Sequence, residues 1–157
     1  MEELIKKYSD FYLKEKFNLK PIVWIQNTNY LNQSFTNNFR GHTAFVYQLG
    51  VIHIFKKYYQ VVKENDKFNL LNKTKEDGSF GCKKLYTNNV ATSRDLLDSI
   101  VEITYLKSKI PNIEDLNIIE IGAGYGRLCK RFLDCFPNSN YFITDGIPQS
   151  TYLSKKY

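Results

Sequence analysis

The sequence predicts an α/β protein in which a mostly helical segment over residues 1–110 precedes a strand–helix–strand unit over residues 111–157. Two observations predict this division. In the first part, apolar residues recur at spacings of three and four, which is the period of an amphipathic helix. Beyond residue 111 the pattern changes to compact apolar runs. The run at residues 118–121 predicts a buried strand of a parallel sheet, and the run at residues 140–144 predicts a second strand.

Helical periodicity indicates three helices in the first part. The first helix is predicted over residues 3–17 and the second over residues 43–63. The third begins at Thr92 or Ser93, because either side chain can cap a helix, and it continues to about Lys107.

Two connecting segments interrupt these helices. Residues 22–25 form a short apolar run that predicts an extended or strand-like piece. Residues 64–89 are polar and contain turn signals at Asp77, Gly78 and Gly81, so we expect loops there, with room for a hairpin.

Length and composition exclude several classes of protein. The chain has 157 residues, of which 43% are hydrophobic and 24% charged, close to globular averages, which argues against disorder. No run approaches the roughly 18 apolar residues of a membrane-spanning helix. The first residues lack the layout of a secretory signal, so we expect a cytoplasmic protein with no membrane span.

The cysteines predict neither a disulfide framework nor a metal site. Cys82, Cys129 and Cys135 form no C-x-x-C pair and leave an odd count. We therefore expect buried thiols and no bound metal.

The net charge of +6 comes entirely from the first 110 residues, where 17 basic residues oppose 11 acidic ones. These are mostly single lysines or pairs, without a dense arginine-rich stripe. Nucleic-acid surfaces cluster arginine and lysine on one face, so nucleic acid is not an expected partner.

A glycine cluster directly follows the strand at residues 118–121. Gly122, Gly124 and Gly126 precede the start of a helix, and glycine permits backbone angles that let a ligand approach the main chain. The helix start offers unpaired N–H groups. The second strand ends at Asp145, 19 residues after Gly126, where an acid can accept hydrogen bonds from ribose hydroxyls.

The glycine spacing is G-x-G-x-G with Glu120 two residues ahead, which departs from the G-x-G-x-x-G of dinucleotide sites. Here the chain resembles the class I S-adenosylmethionine-dependent methyltransferases, whose first motif is an acidic residue followed by G-x-G-x-G. The resemblance covers about residues 116–146. More narrowly, residues 120–127 and 141–153 are similar to the sugar O-methyltransferases of polysaccharide gene clusters.

This resemblance implies an incomplete Rossmann-like methyltransferase fold, S-adenosyl-L-methionine as cofactor and a carbohydrate hydroxyl as acceptor. The implied cofactor-binding residues are Glu120, Gly122, Ala123, Gly124, Gly126 and Asp145. The glycines would line the methionine part, Glu120 would lie near its amino end, and Asp145 would hold the ribose. Two carboxylates also suit a cofactor that carries a sulfonium and an ammonium group.

The assignment of Asp145 has a structural alternative. Its side chain could instead form an Asx turn that caps the helix beginning near Pro148.

Methyl transfer to a sugar hydroxyl also needs a general base or a metal ion, and His42 is the candidate catalytic base. His42 also precedes a predicted helix, where it could cap that helix or pack in the loop.

The strand–helix–strand unit is incomplete for its class. Two strands are predicted, whereas open sheets of this kind have about five or more. We therefore expect the chain to represent the N-terminal part of a truncated domain, to lack methyltransferase activity by itself, and to be prone to aggregation and partial disorder after about residue 111.

Three other functions stay open. The basic N-terminal half is compatible with an RNA or protein methyltransferase. A nicotinamide-dependent sugar enzyme is disfavoured by the glycine spacing. In a non-catalytic interaction module, the glycine turn would have a structural role alone.

Overall fold

A computed structural model describes residues 3, 6, 7, 10, 37–41, 52–87 and 89–157. Within these ranges the chain is a mixed α/β protein with two small sheets, each of two strands, which confirms the predicted α/β class. Residues 3, 6, 7 and 10 are helical, as predicted. Four predicted features lie outside the described residues: the remainder of that helix, the strand-like piece at residues 22–25, His42, and residues 43–51 of the second predicted helix.

Among the described residues, the regular elements from residue 52 onward are four α-helices and four short strands, in the order helix, two strands, helix, strand, helix, strand, helix. The helices are α1 (Ile52–Asn65), α2 (Arg94–Lys109), α3 (Arg127–Cys135) and α4 (Pro148–Lys156). The strands are β1 (Leu85–Thr87), β2 (Val90–Thr92), β3 (Asn117–Ile121) and β4 (Asn140–Thr144).

Helices α1 and α2 follow the predicted apolar periodicity. Phe55, Tyr59 and Val62 on α1 are buried at spacings of four and three residues, which places them on one face. Ser93 is the cap of α2, because its side chain accepts a hydrogen bond from the Leu96 amide at 3.1 Å. The helix ends two residues beyond the predicted limit.

A hairpin is present at β1 and β2, which pair antiparallel with Tyr86 opposite Ala91. Its turn includes Asn89, whose φ of 63° lies in the left-handed region that asparagine tolerates. The turn therefore lies at the end of the predicted loop segment. Of the expected turn signals, Gly78 caps the start of a short 3₁₀ turn over Ser79–Gly81, and Gly81 is the last residue of that turn.

Strands β3 and β4 pair in parallel, with Ile119 opposite Phe142, as the predicted strand–helix–strand unit requires. Helix α3 connects them and packs on one face of the pair. The buried Phe132 ring lies 5.3 Å from the Tyr141 ring and 4.9 Å from the Phe136 ring, between ring centroids. These contacts join the pair to the apolar core that α1 and α2 share.

The opposite face of this sheet corrects the prediction of a buried strand. Ile119, Ile121 and Phe142 are 71%, 85% and 59% exposed. Successive side chains of a strand point to opposite faces, so α3 covers one set and leaves the other set in solvent. Among the described residues nothing covers this second face.

In the described ranges no helix has both the length and the apolarity that are needed to cross a membrane.

Candidate cofactor site at the glycine turn

The glycine turn, residues 122–126, connects β3 to α3. Gly122, Gly124 and Gly126 have φ values of 77°, 59° and 84°, all in the left-handed region. Side chains with a Cβ atom rarely adopt these angles, so the turn requires glycine at each position. The predicted sequence of strand, turn and helix is present here.

The three glycines differ in their surroundings. A Cβ atom added to Gly122 or Gly124 would meet no atom of the described residues within 4 Å. A Cβ atom on Gly126 would lie 3.2 Å from the Ser154 Cβ of α4. Gly122 and Gly124 therefore leave the main chain open to approach, whereas Gly126 allows α4 to pack closely against the turn.

Asp145 links the end of β4 to the glycine turn. Its Oδ2 atom accepts a hydrogen bond from the Gly124 amide at 2.8 Å, and its Oδ1 atom accepts one from the Ile147 amide at 2.8 Å. The second bond is the Asx turn that the sequence allowed. The first places a carboxylate directly against the turn.

This bond changes what the turn can bind. In a pyrophosphate site the amides of the turn point at the anion. Here the Gly124 amide points at the Asp145 carboxylate instead. The turn thus presents a negative charge beside its open main chain, which is unfavourable for a phosphate and favourable for a cationic group.

A cavity of about 190 Å³ lies between the glycine turn, the end of β4 and α4. Among its lining residues are Ala123, Gly124, Asp145, Ser154 and Lys155. Typical sites for drug-sized ligands occupy roughly 300–1,000 Å³, so this cavity is smaller than a typical site of that kind. Three of the six predicted cofactor residues line it; Glu120, Gly122 and Gly126 do not.

Glu120 lies on β3, on the face that α3 covers. The Tyr141 hydroxyl donates a hydrogen bond to its Oε2 atom at 3.1 Å. Burial raises the pKa of the Glu120 carboxyl, against the opposing effects of the Tyr141 hydrogen bond and the Arg127 charge. The side chain is therefore partly desolvated, and holding it ionised at neutral pH costs free energy.

Replacing Glu120 with glutamine is expected to stabilise the protein at pH 7, and the gain should disappear at acidic pH. The folded-state pKa lies above the unfolded value, so Glu120 favours folding below about pH 4 and loses that contribution as pH rises through the folded pKa. Urea unfolding of both proteins between pH 4 and 7.5 measures this difference. An E120Q variant that is less stable than the parent at pH 7 would contradict it.

Sequence reasoning missed a buried charge cluster beneath the turn, formed by Arg40, Glu76, Asp95 and Arg131. Arg40 donates to Glu76 at 2.7 Å and to Asp95 at 3.0 Å, and Arg131 donates to Glu76 at 3.1 Å. All four side chains are nearly or completely buried. Two positive and two negative charges balance within the cluster, as buried ionic groups require.

The cluster reaches the glycine turn through Tyr125. This tyrosine hydroxyl donates a hydrogen bond to the Asp95 Oδ2 atom at 2.6 Å. The Arg40 guanidinium also lies 5.7 Å from the centre of the Tyr125 ring. A bulky tyrosine between two glycines is unusual in a turn. This feature of the sequence could have indicated that the Tyr125 side chain is buried and attached to the core.

Among the described residues, the remaining titratable candidates lie outside the cavity at the glycine turn. His53 is exposed on α1, and His42 is not among the described residues. Burial raises the pKa of Cys82 to about 12 and that of Cys135 to about 11, so both thiols are protonated at neutral pH. Within the part of the chain that the structure describes, no three His, Cys, Asp or Glu residues are grouped to hold a metal ion.

Comparisons with known protein families, with curated proteins and with solved structures found no match. Functional inference therefore depends on the motif and on the geometry of the glycine turn.

Proposed function

We propose that this protein has the activity of an S-adenosylmethionine-dependent methyltransferase. Its cofactor domain would be Rossmann-like, and its acceptor would be a carbohydrate hydroxyl. The observation that carries the proposal is the open main chain at Gly122 and Gly124 beside the Asp145 carboxylate. This arrangement lies at the carboxyl ends of two parallel strands, where ligands of open α/β sheets bind.

The charges at the turn favour this cofactor over a dinucleotide. S-adenosylmethionine has a sulfonium and an ammonium group, and both are attracted by nearby carboxylates. Asp145 accepts from the Gly124 amide, so that amide is directed at a carboxylate and away from a phosphate position. A nicotinamide-dependent enzyme is the weaker candidate on this ground.

The cofactor would supply an activated methyl group, and the chain would supply its binding and orientation. Gly122 and Gly124 would allow close approach to the main chain. Asp145 would face the cofactor from the adjoining strand end, and Ala123 would line the same cavity. Glu120 lies behind the turn, so its contribution would be a long-range negative charge rather than direct contact.

The carbohydrate acceptor rests on the resemblance of residues 120–127 and 141–153 to sugar O-methyltransferases. The alternative acceptor, RNA, is favoured by the basic N-terminal half. Retention of the chain on immobilised RNA at low salt, lost as salt increases, would support RNA and contradict the carbohydrate assignment. We expect that immobilised RNA does not retain the chain even at low salt.

Calorimetric titration of the chain with S-adenosylhomocysteine and, separately, with NAD tests the cofactor class. S-adenosylhomocysteine has the amino-acid and nucleoside parts of the donor without its reactive methyl group. We expect it to bind at least about tenfold more tightly than NAD, a difference of about 1.4 kcal/mol. Tighter binding of NAD would overturn the proposed cofactor, and binding of neither would favour a structural turn in an interaction module.

A further inference from the structure

Tyr125 is part of the glycine turn, but its side chain points away from the open side. It is 6% exposed, and its ring packs edge-on against two other aromatic rings. The ring centroids lie 5.4 Å from Phe39 and 5.3 Å from Tyr157. These contacts fix the ring on the core side of the turn.

The Tyr125 hydroxyl has a buried and charged partner. It donates to Asp95 Oδ2 at 2.6 Å, and the Arg40 Nε atom donates to the same oxygen at 3.0 Å. Burial, together with the negative charge of Asp95, raises the pKa of Tyr125, so the hydroxyl keeps its proton and stays a donor at neutral pH. This hydrogen bond joins the glycine turn to helix α2, which contains Asp95.

Two carboxylates thus hold the turn from opposite sides. Asp145 holds the Gly124 amide from the open side, and Asp95 holds Tyr125, the next residue, from the core side. Glycine itself supplies no side-chain restraint, and a turn with three glycines in the left-handed region has many accessible conformations when unrestrained. The hydrogen bond from Tyr125 to Asp95 restrains the main chain between Gly124 and Gly126.

We propose that Tyr125 is a positioning residue, which preorganises the open main chain of the glycine turn for the donor through its hydrogen bond to Asp95. This inference rests on the proposed function for the identity of the ligand. The restraint on the turn itself is a property of the unliganded protein. Preorganisation lowers the ordering cost of binding, so loss of the restraint weakens the complex.

The test compares Tyr125→Phe with a matched control, Tyr58→Phe. Both substitutions remove one hydroxyl that donates to an aspartate on α2, because the Tyr58 hydroxyl donates to Asp98 at 2.7 Å. Of these two tyrosines, Tyr125 belongs to the glycine turn, whereas Tyr58 lies on α1. In the unliganded proteins, we expect hydrogen exchange of the Gly124 and Gly126 amides to be about tenfold faster in Y125F, and unchanged in Y58F.

The same variants are titrated with S-adenosylhomocysteine. We expect Y125F to bind about tenfold more weakly than the parent, and Y58F to bind equally well. Unchanged exchange at the turn in Y125F, or an equal increase in Y58F, would overturn the positioning role. A parent protein that binds no S-adenosylhomocysteine would contradict the proposed function, while the exchange comparison would still decide the role of Tyr125.

Discussion

Replacing Glu76 with glutamine is expected to lower the free energy of unfolding by about 3–5 kcal/mol, because it removes the buried carboxylate that pairs with both Arg40 and Arg131. Glu76 accepts hydrogen bonds from Arg40 Nη2 at 2.7 Å and from Arg131 Nη2 at 3.1 Å. It also accepts from the Ser93 hydroxyl and from the Gly78 amide. After the substitution, Asp95 would be the one remaining buried carboxylate of the cluster for two fully buried guanidinium groups.

Urea unfolding followed by circular dichroism measures this loss. The matched control is Glu64→Gln on α1, where the glutamate is exposed and the expected change is below about 0.5 kcal/mol. A loss below about 1 kcal/mol in E76Q would contradict the expected contribution of the buried charge cluster to the stability of the fold. Equal losses in both variants would contradict the assigned burial of Glu76.

Replacing Gly124 with valine is expected to weaken binding of S-adenosylhomocysteine by about 100-fold or more. A β-branched residue is strained by roughly 1–2 kcal/mol at the left-handed φ of 59°. Its side chain would also occupy the open space that the ligand is proposed to enter. A Cβ atom at Gly124 would meet no atom of the described residues within 4 Å apart from its chain neighbours, so the fold should tolerate the substitution better than the ligand does.

The control for Gly124→Val is Gly78→Val. Gly78 also has a left-handed φ, of 81°, so valine is strained there as it is at Gly124, but Gly78 does not line the cavity. Calorimetry on both variants, with melting temperatures recorded beside it, separates binding from stability. Parent-like affinity in a folded G124V would assign the turn a structural role and support an interaction module.

The strand, turn and helix around the glycines could be predicted from sequence because their causes are local. Compact apolar runs indicate β3 and β4, and a glycine cluster followed by a helical pattern indicates the start of α3 at Arg127. The capping hydroxyl of Ser93 similarly fixed the start of α2. In each case the determining residues are only a few positions apart along the chain.

The buried charge cluster could not be predicted, because its partners are distant in sequence. Arg40 and Asp95 are 55 residues apart, and Arg131 and Glu76 are also 55 residues apart. Charged residues usually lie at the surface, so neither pair had a pattern that indicated burial. The anchor at Tyr125 depends on this cluster and was missed with it.

The separate roles of the three glycines also depend on tertiary contacts. Their spacing is regular, yet Gly126 faces Ser154 of α4 while Gly122 and Gly124 face open space. The exposed face of β3 has the same origin, since the run at residues 118–121 predicts a strand but not what covers it. Local sequence determined the elements, and packing determined their exposure.

The central claim is that the open main chain at Gly122 and Gly124, beside Asp145, binds the methyl donor. Titration of the isotope-labelled chain with S-adenosylhomocysteine, followed by amide NMR, tests it most directly. We predict saturable shifts that are largest at the Gly122, Ala123 and Gly124 amides and at the residues following Asp145. Saturable shifts that lie elsewhere, or no shifts at millimolar ligand in a folded protein, would contradict the claim.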